Sequence, residues 1–189
     1  EGWGNPFKKQ LNLSLYLLFK YSIVDETVFP RGIIIDFFKV LLQNKEAKFL
    51  FITGEKANII HERLSHFNLK ASDVCIISAN RKDVPDLLSV SDLSLFFIKT
   101  SYSKLACSPT KLGEILAMGI PVIANSNVGD VAEILEQTKG GIALKQLNKK
   151  SFREAVSFIP NLLVKDAATI RSNAKKYYDL KQGAAKYAQ

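Results

Sequence analysis

Ser108-Pro-Thr-Lys-Leu-Gly-Glu-Ile-Leu-Ala-Met-Gly-Ile-Pro-Val-Ile-Ala-Asn125 is the stretch on which the reading of this chain turns. It predicts a loop, a capped helix start, a short helix, a tight turn and a buried strand. Ser108 suits an N-cap, and Pro109 suits the first helical position, where no amide donor is needed. Gly119 ends the helix, Pro121 follows, and Val122, Ile123 and Ala124 enter a sheet. Around Thr110 and Lys111 such a helix offers backbone N–H groups and the positive end of its dipole, a site for phosphate. Glu114 lies on the same face as Thr110, one turn deeper. A carboxylate there accepts hydrogen bonds from sugar hydroxyls. Anion site and hydroxyl acceptor together suit a nucleotide diphosphate with its ribose.

Working outward, apolar runs alternate with amphipathic stretches. Strands are expected at 13–19, 47–53, 74–78, 93–98 and 142–144, besides the one that closes the opening motif. Helices are expected at 32–43, 56–68 and 84–90. Asp130 with Glu133 has the form of a capping box for a helix that reaches Gln137. Gly140 and Gly141 turn the chain into its last strand. The tail reads as helices at 150–160 and 165–178, then a short one capped by Asp179 with Gln182. Strands apolar throughout and separated by helices indicate a parallel sheet covered on both faces. The fold class is therefore α/β, a single doubly wound Rossmann-like domain. Residues 1–12 read as linker and residues 13–189 as the domain. In such folds ligands bind outside the carboxyl ends of the strands. The helix after Ser108 starts at one of those ends.

The chain has 189 residues, of which 47% are hydrophobic, enough for one domain with a real core. Phe37, Phe38, Phe49, Phe51, Phe96 and Phe97 read as core, and Tyr177, Tyr178 and Tyr187 as packing for the tail helices. Cys75 and Cys107 sit in or beside apolar segments, which favours a reduced, cytoplasmic protein. His61 and His66 read as surface residues of one polar helix, and no metal-ligand spacing appears. No apolar run approaches the roughly 20 residues that span a bilayer. Glycine-rich dinucleotide and triphosphate loops are absent.

The net charge of +8 is unevenly placed: residues 1–138 carry 15 basic and 15 acidic side chains, residues 139–189 carry 11 and 3. A solvated helical face explains that excess; attraction to an anionic membrane surface or substrate is the sharper reading. Nucleic acid is not indicated, because no recognition motif accompanies the charge.

Ser108-Pro-Thr-Lys-Leu-Gly-Glu114, Ala117-Met-Gly-Ile-Pro-Val-Ile123, then Val128-Gly-Asp130 and Glu133 resemble the donor-binding half of group 1 (family 4) retaining glycosyltransferases. These are GT-B enzymes with two facing Rossmann-like domains. Asp86-Leu-Leu-Ser-Val-Ser-Asp92-Leu-Ser-Leu-Phe and Ile170-Arg-Ser-Asn-Ala-Lys-Lys-Tyr-Tyr-Asp179, followed by Tyr187, are similar to the same family. The resemblance implies a nucleotide-sugar donor and no other cofactor. It implies that Glu114 holds the ribose, that Ser108, Pro109, Thr110 and Lys111 meet the diphosphate, and that Lys20 and Lys111 stabilise the leaving group. Asn80 and Arg81 fall where the base would lie.

Two departures stand out. The family commonly has a second glutamate eight positions before Glu114, where this chain has Ala106. Phe19-Lys20-Tyr21 stands where a Gly-Arg or Gly-Ser pair is common. The resemblance also implies that this chain is the C-terminal half of a longer enzyme, silent without an N-terminal acceptor domain. Two other readings stay open: half of a nucleotide-sugar epimerase, and a non-catalytic nucleotide-binding scaffold.

Overall fold

Strands that are apolar on both sides need cover on both sides, and the computed structural model has that arrangement. It describes residues 16–19, 31–43, 47–52, 58, 61, 71–100, 102, 108–179 and 184. Six parallel strands are β1 (Tyr16–Phe19), β2 (Lys48–Ile52), β3 (Val74–Ile77), β4 (Leu93–Phe96), β5 (Val122–Asn125) and β6 (Gly141–Leu144). Among the described residues the helices are α1 (Arg31–Leu42), α2 (Val84–Leu88), α3 (Thr110–Ala117), α4 (Val131–Gln137), α5 (Lys149–Leu163) and α6 (Ala167–Tyr178). The sheet order is β3-β2-β1-β4-β5-β6. The chain runs outward from β1 to β3, then returns across β1 to β4. That reversal is the switch point where doubly wound sheets open a crevice.

Side chains alternate between the faces, as the period of two requires. Phe49, Phe51, Leu95, Phe97 and Ile123 pack under α1 and α5. Leu50, Ile52, Phe96, Val122 and Ala124 pack under α2, α3, α4 and α6. All six phenylalanines assigned to the core are buried. Phe37, Phe97 and Phe152 meet with ring centroids 5.4–6.0 Å apart, joining α1 and α5 to the end of β4. Tyr178 packs α6 onto α3, while Tyr177 is exposed.

Three local expectations are corrected. α5 does not stop at Pro160 but runs to Leu163. Its buried stripe of Phe152, Ala155, Val156, Ile159 and Leu162 continues through the proline. Burying Leu162 offsets much of the roughly 3 kcal/mol that an interior proline costs. The next helix starts at Ala167, not at residue 165, because Asp166 caps it. The turn before β6 takes its left-handed residue at Lys139, φ 54°, rather than at a glycine. Lys139 N–H and Gly140 N–H bond the carbonyls of Glu136 and Leu135, which closes the α4 C-terminus as a Schellman turn. Gly119, φ 74°, closes α3 in the same way, as expected. The helix expected at 56–68 lies outside the described residues except for Asn58 and His61, both helical and exposed. The helix expected after Asp179 lies outside them except for Ala184, and Asp179 itself is the C-cap of α6.

Two predictions arise here. A non-glycine residue in the left-handed region costs about 1–2 kcal/mol, partly offset by the entropy a glycine loses on folding. Lys139→Gly should therefore stabilise the domain by about 0.5–1 kcal/mol, raising Tm by about 1–4 °C in a calorimetric scan. The second concerns Asp166, whose carboxylate accepts from the amides of Ala168 and Thr169 and, at 2.6 Å, from the Thr169 hydroxyl. The Thr169 hydroxyl above all, then those amides, hold its carboxyl below the usual range. The folded state thus takes up this proton less readily than the unfolded chain. The cap's contribution is complete above about pH 4 and is lost as pH falls toward the folded value. Asp166→Ala should lower Tm at pH 7, and the gap from wild type should shrink steadily as pH falls below about 4.

Candidate functional site

The site is built at the carboxyl edge of the sheet, where β4 leads toward α3. Asn125, buried at the end of β5, clamps this edge. Its amide donates to Ile98 O and its carbonyl accepts from Ile98 N–H, both at 2.9 Å. The start of the loop after β4 is thereby tied to β5. Pro109, φ −75° and ψ 112°, is the N-cap residue of α3 and supplies no side-chain cap. Leu112, Gly113, Ile115 and Leu116 are buried against the sheet and α6. Thr110, Glu114 and Ala117 are exposed on the opposite stripe, with Lys111 half-buried beside them. The helix is thus anchored through one face. The other presents a hydroxyl and a carboxylate one turn apart, with the amide-bearing end of the helix outermost.

Ser108 is not the N-cap. The helix begins one residue later than expected, because Pro109 itself holds extended backbone at ψ 112° and takes the N-cap position. The Ser108 hydroxyl donates to Asp130 Oδ2 at 3.0 Å. This contact also breaks the expected capping box: Asp130 occupies the N-cap position of α4 but accepts no amide hydrogen there. Glu133 instead accepts from Gln137 Nε2 at 2.9 Å. The N-termini of α3 and α4 are consequently stapled side by side.

Asn80 and Arg81 are exposed in the turn after β3, closed by Asp83 N–H on Asn80 O at 3.0 Å. β3 lies three strands from β4. At about 4.8 Å per strand, these residues stand about 14 Å away on the same edge. Lys20, Ala106 and Cys107 lie outside the described residues. Cys75 is half-buried in β3, and burial raises its thiol above the usual range. Among the described residues no three His, Cys, Asp or Glu side chains gather as metal ligands. No described helix is long and apolar enough to cross a membrane. Sequence reading gave no signal for the Asn125 clamp or the Asp130–Ser108 bond. Both depend on side chains meeting across more than 20 residues.

The family model described as glycosyl transferases group 1 matches residues 32–159, most of the chain. This chain belongs to the group 1 glycosyltransferases. The sheet and helices of this glycosyltransferase domain recur in solved structures. TarM superimposes with a TM-score of 0.69 at 15% identity, over 92% of this chain and 34% of that one. The C-terminal domain of LpcC, a group 1 family protein from Francisella tularensis, gives 0.60 at 13% identity, covering 96% of this chain and 93% of that one. A Listeria monocytogenes protein assigned as a UDP-N-acetylglucosamine 2-epimerase gives 0.55 at 13% identity, over 93% and 43%. S. aureus TarM has also been crystallised in complex with UDP. No curated protein sequence matches the chain. The glycosyltransferase domain spans about a third to a half of the TarM and Listeria chains, and nearly all of the isolated LpcC domain.

Proposed function

We propose that this domain holds the nucleoside diphosphate of a sugar donor for a retaining, metal-independent glycosyl transfer. The observation that carries the reading is the placement of α3. Its N-terminus, where Pro109 supplies no side-chain cap, lies at the carboxyl edge beside the switch point, and exposed Glu114 stands one turn inside it. In this reading the amides and side chains from Ser108 to Lys111 meet the pyrophosphate, and Glu114 accepts from the ribose hydroxyls. Asn80 and Arg81, about 14 Å along the edge, lie at the reach of the base.

Cleavage of the anomeric bond leaves growing negative charge on the departing phosphate oxygens. The helix N-terminus, Lys111 and Lys20 would stabilise that charge in place of a metal, each such contact being worth about 2.7–4 kcal/mol in comparable oxyanion sites. The acceptor, a glycan or lipid-linked sugar, would sit on an N-terminal domain of the same enzyme. The exposed lysines and arginines of α5 and α6 suit a peripheral position at the cytoplasmic face of an anionic membrane.

Calorimetric titration of the domain with uridine and guanosine diphosphates tests the reading. Saturable binding of one of them supports it, and binding of neither overturns it in favour of a scaffold. The second reading, epimerisation, is kept by the shared fold of the Listeria protein. It requires release of altered free sugar without an acceptor, which the full-length enzyme would reveal.

A further inference from the structure

At the amino edge of the sheet, the turn from α4 into β6 and the turn from α5 into α6 border a cavity of about 310 Å³. Leu135, Gly141 and Ile170 give it apolar walls, and Lys139 and Lys165 bring two amines to it. β6 starts at Gly141, whereas α3 follows the carboxyl end of β4. Four strand residues at about 3.3 Å each set the two edges about 13 Å apart. The cavity is therefore separate from the α3 site.

The two lysines are held together without a counter-charge. Lys165 Nζ donates to Lys139 O at 2.8 Å. Among the described residues no carboxylate lies within salt-bridge distance of either amine. Glu136 and Asp166 also line the cavity. Asp166 spends its oxygens on the amides of Ala168 and Thr169 and on the Thr169 hydroxyl, and Glu136 is exposed. Burial, then the positive charge of Lys139, lower the Lys165 ammonium from its ordinary range. An anion between the amines offsets that repulsion. The backbone of Lys139 is an independent observation. It holds φ 54°, which a glycine adopts without strain, yet the two glycines of this turn stand at 140 and 141. Strain of this kind persists where the side chain is needed.

We propose that this cavity seats a phosphate group between Lys139 and Lys165, carried by the headgroup of an anionic lipid. Leu163 and Val164, 40% and 83% exposed, stand directly before Lys165. Exposed apolar side chains beside basic ones suit the boundary between headgroups and acyl chains, and a free phosphate makes no use of them. The phosphate site stands on the cavity alone. Its lipid source rests on the membrane position in the proposed function.

Two probes separate these parts: inorganic phosphate, followed through the amide resonances of Gly141 and Thr169, and flotation with phosphatidylcholine vesicles with and without phosphatidylglycerol. Wild type should show saturable phosphate shifts at those amides and float only with the anionic vesicles. Lys139→Gly and Lys165→Gln should each weaken both by about five- to tenfold. Lys139→Gly is expected to raise Tm, so its loss of binding cannot come from unfolding. Lys149→Ala, at the carboxyl edge, should change either by less than twofold. Val164→Asp should lose the vesicles and keep the phosphate. Binding of phosphate without vesicles supports the site and overturns its lipid source. Vesicle binding without phosphate binding supports both if Lys139→Gly abolishes it. The site is overturned if Lys139→Gly matches wild type with both probes. It is also overturned if Lys149→Ala loses as much as the cavity variants, or if phosphate shifts only Leu112 and Gly113 on α3 and wild type leaves the vesicles unbound.

Discussion

Glu114→Ala should weaken nucleoside diphosphate binding by about ten- to a hundredfold while leaving Tm within about 2 °C of wild type. The two parts have separate physical origins. Glu114 lies on the exposed stripe of α3, and the apolar anchors of that helix are Leu112, Ile115 and Leu116 on the other side. Truncating an exposed helical side chain to alanine changes stability by about 0.5 kcal/mol or less. Hydrogen bonds from neutral hydroxyls to a carboxylate are worth about 1.5–3 kcal/mol, which sets the loss of affinity. Glu114→Gln keeps a carbonyl acceptor without the charge and should recover part of the binding. Lys149→Ala, on the exposed surface of α5, serves as the control and should bind as wild type does. If Glu114→Ala binds as tightly as the control, the carboxylate is a solvated helix residue and does not reach the ribose.

Gly141→Ala should destabilise the domain by about 4 kcal/mol, seen as a fall in the urea midpoint. Gly141 opens β6 and pairs with Val122 of β5. A Cβ at this position would overlap the Val122 carbonyl oxygen and crowd the rest of that residue's backbone. A flexible side chain can swing away from such a clash, but a strand backbone held on both sides cannot. Val122 is itself bound to Gly140 O at 2.8 Å, and its neighbour Ser94 N–H bonds Pro121 O at 2.9 Å. Relief therefore means parting β6 from the sheet. Losses of this size are confined to core, strain and buried-network sites, and this is a backbone overlap against β5, which is paired on both sides. The neighbouring Lys139→Gly should act in the opposite direction, so the two changes, two residues apart, separate steric exclusion from backbone strain.

The strands and helices could be read from the chain because each is set by a short-range pattern. Leu93-Ser-Leu-Phe96 is apolar enough to be buried on both sides, and the period of α1 repeats within a dozen residues. Gly119 marked the end of α3 because few residues other than glycine accept its backbone angles. Asn125 could be read only as the end of a strand. Its partnership with Ile98 exists because the β4–β5 register sets the two side by side. Ser108 and Asp130 each matched a capping pattern, and both patterns were displaced by the bond between them. Capping strength is about 1 kcal/mol, small enough for one tertiary contact to override.

The amino-acid order alone specified the alternation of elements, the parallel sheet and the turn into α3, since burial periodicity and backbone preferences act over a few residues. Only folding could decide that Asp130 serves Ser108 rather than its own helix, that Tyr178 lies over Gly113, and that Asn125 ties β5 to the end of β4. Those pairings depend on which strands become neighbours. That choice is made by the whole core, through the sheet order that brings distant segments to one edge.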